Sequence, residues 1–152
     1  MAAGTFKIFN RAKHKLCTAK INLSAGPFRL ALYSSASNLN NSTSALDLTI
    51  ISQVSNEVGT AVGYVPGGET LSSPTFTTTS AKLWKFDAAD HVFTAVTSAI
   101  ANIKFAAVYL SAASANGRYL LTYVTLTGTQ FTLAINNTLT IQFPAGGIFT
   151  LL

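Results

Sequence analysis

Residues 83–126 read LWKFDAADHVFTAVTSAIANIKFAAVYLSAASANGRYLLTYVTL, and the fold turns on how this stretch is read. Within it, Ile103–Leu110 is apolar at nearly every position after Lys104, rich in β-branched and aromatic side chains, and too short for an ordinary buried helix. It predicts a central strand covered on both faces. Ser111–Gly117 supplies small, turn-forming residues, and Arg118–Leu126 returns as a second apolar strand with Tyr119 and Tyr123 on one face. Upstream, Leu83–Phe86 and His91–Val96 read as strands joined by Asp87-Ala88-Ala89-Asp90, with Trp84 buried beside Phe86 and Lys85 facing the other way. The hairpin carries no catalytic group, so what it offers is architecture.

Working outward, Phe131, Leu133 and Ile135 alternate with polar or small residues, and so do Leu139, Ile141 and Phe143 after Asn136-Asn137. This predicts a hairpin with one buried face, followed by a last strand over Ile148–Leu152 that ends inside the sheet. Leu71–Thr79 reads as an edge strand, because Pro74 has no N–H to give to a ladder. Gly59–Gly68 is a loop whose glycines permit positive φ. Ile21–Leu23 and Pro27–Tyr33 are further strands, the second with one buried and one half-wet face. Ser34–Ser44 is a polar loop, and Leu48, Ile51 and Val54 sit at helical spacing, predicting a short helix within Leu46–Val58. Short strands with regular turns predict an all-β fold, an antiparallel β-sandwich of jelly-roll type.

With 152 residues the chain is one domain, long enough to bury a core without metals or disulfides. Only 10% of its residues are charged, against roughly 25% in an average soluble domain, and none of Asp, Glu, Lys or Arg occurs after Arg118. Such a charge-free end suggests surface covered by partners; the alternative is a sheet whose solvent face is Thr, Ser, Gln and Asn. No run of 18 apolar residues exists, so no transmembrane helix and no membrane partner is expected despite a mean hydropathy of +0.38. The single Cys17 excludes an intramolecular disulfide and fits a reducing compartment.

The N-terminal segment, residues 1–20, is the basic one: Lys7, Arg11, Lys13, Lys15 and Lys20 precede any acidic residue, and the first acidic residue is Asp47. Ile8, Ala12 and Leu16 recur at helical spacing and Asn10 is a potential cap, which predicts an extended basic arm carrying one short helix, ahead of a β domain over 21–152. The five cations are the candidate protein-interaction residues, suited to an acidic surface. Read plainly, they are a solvated helix face. The net charge of +5 and pI near 9.6 admit nucleic acid, but the aromatics lie in strand cores instead of between basic residues, which disfavours it.

Chemistry is sparse. The chain has five acidic residues, two histidines and one cysteine, all scattered, and no phosphate loop, Ser elbow or HExxH motif. Asp87 and Asp90 near His91 invite a metal reading, but calcium needs more oxygen ligands and zinc more His or Cys, so the aspartates are read as turn caps. Glu57 and Glu69 lie in loops without a visible partner. No catalytic residue, metal or cofactor is expected, and the chain is not read as an enzyme.

Several segments taken in order carry a resemblance: FNRAKHKL at Phe9–Leu16, INL at Ile21–Leu23, FRLALY at Phe28–Tyr33, SNEVGTAVGYVPGGETL at Ser55–Leu71, KFDAADHVF at Lys85–Phe93, IKFAAVY at Ile103–Tyr109 and GIFTL at Gly147–Leu151. Together they resemble a family of small virion structural proteins of tailed bacteriophages, similar to β-sandwich cement or decoration subunits on HK97-type capsids. Cys17 departs from the small residue expected after the basic run. The resemblance implies a subunit made in the bacterial host cytoplasm and placed on the capsid surface, where it stabilises capsomer boundaries. Its implied partners are the major capsid protein and copies of itself. A tail or fibre component is the alternative within that class. A carbohydrate-binding module, with Trp84 or Tyr64 stacking on a sugar ring, is the alternative outside it.

Overall fold

The computed structural model describes residues 4–80, 82–112 and 114–151. The first half holds β1 (Lys7–Ile8), α1 (Asn10–Cys17), β2 (Phe28–Tyr33), α2 (Ser42–Ala45), β3 (Glu69–Thr70) and β4 (Thr75–Ser80). Next come β5 (Leu83–Asp87), β6 (His91–Thr94), β7 (Ile100–Ile103) and β8 (Phe105–Leu110). The chain returns through β9 (Leu120–Thr125), β10 (Phe131–Leu133), β11 (Thr138–Ile141) and β12 (Phe149–Leu151). The fold is mostly β, with antiparallel sheets and few helices.

From Leu83 onward the pairings describe one long hairpin bent over on itself. β8 pairs with β9, β7 with β10, β6 with β11 and β5 with β12, all antiparallel, with the β8–β9 pair nearest the tip. The expected hairpin between Phe131–Ile135 and Leu139–Phe143 is therefore corrected: β10 and β11 each pair with an ascending strand and not with each other. Their connection crosses Ala95, whose N–H donates to Asn137 O at 3.0 Å and whose carbonyl accepts from Asn136 N at 2.7 Å. Ile135 sits at that bend and is exposed, while Leu133, Leu139 and Ile141 keep the buried face that their alternation required.

β8 is the third strand of a five-stranded sheet ordered β1-β9-β8-β2-β3 and is covered on both sides. Ala106 and Val108, with Phe28, Leu30 and Leu32 of β2, face a first core shared with Phe86, Phe93, Ile100, Ile141 and Phe149 from the bent hairpin. Phe105, Ala107 and Tyr109 face a second core with Ala31, Tyr33, Phe9, Ala12, Leu39 and Ala45. The second face of β2, expected half-wet, is thus dry at Ala31 and Tyr33. Its cover is the polar-looking segment 34–56, which docks Leu39, Ala45, Leu46, Leu48, Ile51 and Val54. In place of a helix over Leu46–Val58 there is a single 3₁₀ turn at Ile51–Gln53, which accounts for apolar residues spaced by three.

Register shifts against β8 between Val108 and Tyr109, and the extra residue in β9 turns the side chains over. Tyr119 consequently packs against the first core and Tyr123 lies in the second, correcting their assignment to one face. Ile21 and Leu23 are buried in a turn and form no strand. β12 is an edge strand of the sheet ordered β12-β5-β4 instead of an interior one; β4 forms the opposite edge, with exposed threonines.

The N-terminal segment is not an extended arm. Lys7 and Ile8 pair with Tyr123 and Thr122, and Phe9 N donates to Leu121 O at 3.0 Å. Phe6, Phe9 and Ala12 are core residues; a fully buried phenylalanine stabilises by about 2–3 kcal/mol. Asn10 does not cap α1: Phe9 holds the cap position without a side-chain bond, and Asn10 N donates to Leu46 O at 2.8 Å. An eight-residue helix is marginal alone, so this packing is what keeps α1 formed.

Candidate interaction surfaces

β1 holds Lys7 and α1 holds Arg11, Lys13 and Lys15 on a fixed support, while Lys20 lies in the bend after α1. Lys7, Arg11, Lys13 and Lys20 are exposed and Lys15 is half-buried. Lys7 Nζ lies 5.9 Å from the Tyr123 ring centroid and Lys15 Nζ 5.0 Å from that of Tyr119, so both stems lie along the body. Among the described residues the ion pairs are Lys85–Asp87 at 3.0 Å and His91–Glu69 at 3.1 Å, and neither involves the basic row.

Four of the five scattered acidic residues are engaged locally, and Asp47 is exposed. Asp87 also accepts from Ala88 N at 3.0 Å, and Asp90 accepts from Phe143 N at 2.9 Å, so each holds a neighbouring segment. Glu57 and Glu69 do have partners, contrary to the sequence reading: Glu69 takes His91, and Glu57 accepts from Tyr64 Oη at 2.6 Å and Gly67 N at 2.5 Å. His14 and Cys17 are exposed on α1. Among the described residues no three His, Cys, Asp or Glu side chains gather as a metal site, and no helix is long and apolar enough to cross a membrane.

Sequence reasoning missed a polar knot around Gly67-Gly68. Tyr109 Oη donates to Gly67 O at 2.6 Å and Arg29 Nη2 to Gly68 O at 2.7 Å, while Gly67 N serves Glu57. Gly68 has φ +65°, and a Cβ there would lie 2.1 Å from Leu30 O, so only glycine fits the close approach. Burial pushes the phenols of Tyr33, Tyr64 and Tyr109 up in pKa; for Tyr64 the hydrogen bond to Glu57 adds to the shift. The signal in the sequence was the Pro66-Gly67-Gly68 turn, but nothing local said that Arg29 and Tyr109 would converge on it.

Trp84 is 46% exposed, which corrects its expected burial. Its ring stacks on Phe76 at 5.2 Å, one residue pair beyond the end of the core that Phe86 fills. Beside this ledge runs a groove of about 410 Å³ lined by Leu16, Ile21, Leu23, Phe76 and Leu151, with Asn22 and Ser24 as polar neighbours. Tyr64, the other candidate sugar platform, is buried at 1% exposure.

No protein-family model, curated protein or solved structure matches this chain.

Proposed function

We propose that this chain is a structural subunit of a tailed-phage virion, a cement or decoration protein that adheres to the outside of the capsid through the major capsid protein and neighbouring copies of itself. The observation carrying the reading is the cationic row Lys7, Arg11, Lys13, Lys15 and Lys20, unneutralised by any ion pair among the described residues and fixed to the body by Phe9. A rigid row of cations loses little freedom on docking to an acidic surface, and complementary charge sets the orientation of approach. The ordered sequence resemblance supplies the phage context. Glu57, Glu69, Asp87 and Asp90, each engaged in a separate local contact, suit a body that holds its shape and makes no bonds.

The architecture is read with it as a jelly-roll-like antiparallel β-sandwich. The bent hairpin from Leu83 to Leu151 supports this; the departure is β2, which lies beside β8 where a jelly roll places a strand of the hairpin itself.

The test is adhesion to particles. Deleting residues 1–20 would remove Phe6, Phe9 and Ala12 from the cores and so test folding. Replacing Lys7, Arg11, Lys13 and Lys20 together by Gln tests the surface. Mass spectrometry of purified particles is expected to find the wild-type chain in fixed ratio to the shell protein, released by salt, with occupancy of the neutralised variant strongly reduced. Absence from particles, or unchanged occupancy of that variant, overturns the reading.

A second reading, carbohydrate binding, gains from the exposure of Trp84 on Phe76 beside exposed Thr77, Thr78 and Thr79. Glycan binding that is lost in Trp84→Ala would favour it over adhesion alone.

A further inference from the structure

Between the tip of the hairpin and the segment covering the second core lies a cavity of about 350 Å³. Ile51, Val54 and Pro66 form its apolar side; Glu57, Tyr109 and Arg118 form its polar side. The polar side is built, not incidental. Glu57 is held by Tyr64 and Gly67, the Tyr109 proton is committed to Gly67 O, and Arg118 Nε donates to Ala112 O at 3.2 Å. Arg118 makes no ion pair among the described residues, so the fork of its terminal nitrogens is open to an acceptor. Arg118 is the cation and Glu57 the anion on this lining; Arg29, the ladder partner of Tyr109, donates to Gly68 O and is not part of the lining. On β2, Arg29 pairs with Tyr109 and Tyr33 bridges to Glu57, and Arg29 Nε and Tyr33 Oη are buried without a hydrogen-bond partner.

We propose that this cavity binds a small aliphatic monocarboxylate, with the carboxylate on the Arg118 fork and the alkyl part against Ile51, Val54 and Pro66. Charge selects the class. Arg118 offers one positive charge, which a monoanion matches; a phosphate dianion would set its second negative charge against Glu57. A guanidinium fork takes the two oxygens of a carboxylate side by side, as it takes two of a phosphate, so charge and not shape separates the two ligands. The carboxylate has two sources, a free short-chain acid or the C-terminus of a polypeptide, and both present the same group.

The experiment is a titration of the full chain, followed by backbone amide resonances, with butyrate, inorganic phosphate and an N-acetylated dipeptide ending in valine. Butyrate or the dipeptide is expected to shift Ser52, Gly67 and Arg118 saturably, and whichever binds more tightly identifies the source. Phosphate is expected to leave these resonances in place at the same concentrations. In Arg118→Gln the affinity should fall at least tenfold. Arg118→Lys keeps the charge without the fork and covers the case in which the Gln variant fails to fold; it should lose severalfold. Absence of a saturable shift with either carboxylate, equal binding of phosphate, or full affinity in a folded Arg118 variant overturns the proposal.

Discussion

The phenol of Tyr64 donates to Glu57 Oε1 at 2.6 Å and accepts on its other side from the backbone N–H of Leu32 at 2.9 Å. One buried hydroxyl thereby ties the loop that follows Glu57 to β2, the strand beside the centre of the sheet. Replacing it by Phe leaves an unpaired N–H inside the protein and takes a neutral donor from a carboxylate. Tyr64→Phe should destabilise by about 3 kcal/mol, since an unsatisfied buried group and a lost bond to a charged acceptor each cost about 1–3 kcal/mol. Urea unfolding measures it, and a change below about 0.5 kcal/mol would show that water replaces the hydroxyl.

Alkaline pH should unfold the protein. Burial raises the pKa of Tyr33, Tyr64, Tyr109 and Tyr123 above the ordinary value of 10.0. Below that value both folded and unfolded chains keep these protons, and the stability is fully present. Above it the unfolded chain releases them while the folded chain holds them, so stability falls until the folded pKa is passed. Each such tyrosine removes about 1.4 kcal/mol per pH unit in that window. Phenolate absorbance rising together with loss of circular dichroism above pH 10 is expected; phenolate forming well before unfolding would show the rings to be accessible.

The strands were legible where one residue pattern met one environment. The doubly covered strand expected over Ile103–Leu110 is present over Phe105–Leu110, where every position is apolar, while Ile103 ends β7 and Lys104 separates the two. Alternation at Leu133, Leu139 and Ile141 announces a buried face, but alternation is blind to the partner; proximity in sequence suggested a hairpin, and the bend over Ala95 assigned each strand elsewhere. The bulge in β9 was invisible for a related reason, since an extra residue changes faces without changing composition. Lys7, Arg11, Lys13, Lys15 and Lys20 could be read as a basic row, but their rigid mounting rests on Phe6 and Phe9, whose burial depends on β9, more than a hundred residues away in sequence.

Trp84 and Phe86 sit on the same side of β5, yet only Phe86 is enclosed. Phe86→Ala should cost about 3–5 kcal/mol through the cavity it opens between Phe28 and Phe149. Trp84→Ala should cost less than about 1 kcal/mol, because most of what it loses is a stack on Phe76 at the surface. Thermal melts of the two variants compare them directly. Equal losses would place Trp84 inside an interface of the folded protein and remove it as a ledge for a ligand.

The N-terminal segment provides the sharpest separation of adhesion from folding. Phe9 is 0% exposed and its ring lies 5.2 Å from that of Tyr123, whereas Lys13, four residues on, is exposed. Phe9→Ala should destabilise by about 3–4 kcal/mol and release α1 from the sheet. Lys13→Gln should change stability by less than about 0.5 kcal/mol, as expected of a solvated position. Limited proteolysis extends the test: cleavage within residues 7–17 should accelerate in the Phe9 variant and stay slow in the Lys13 variant. Rapid cleavage there in the wild-type chain would mean that the cations ride on a loose tail, and the entropic argument for a rigid docking row would fail with it.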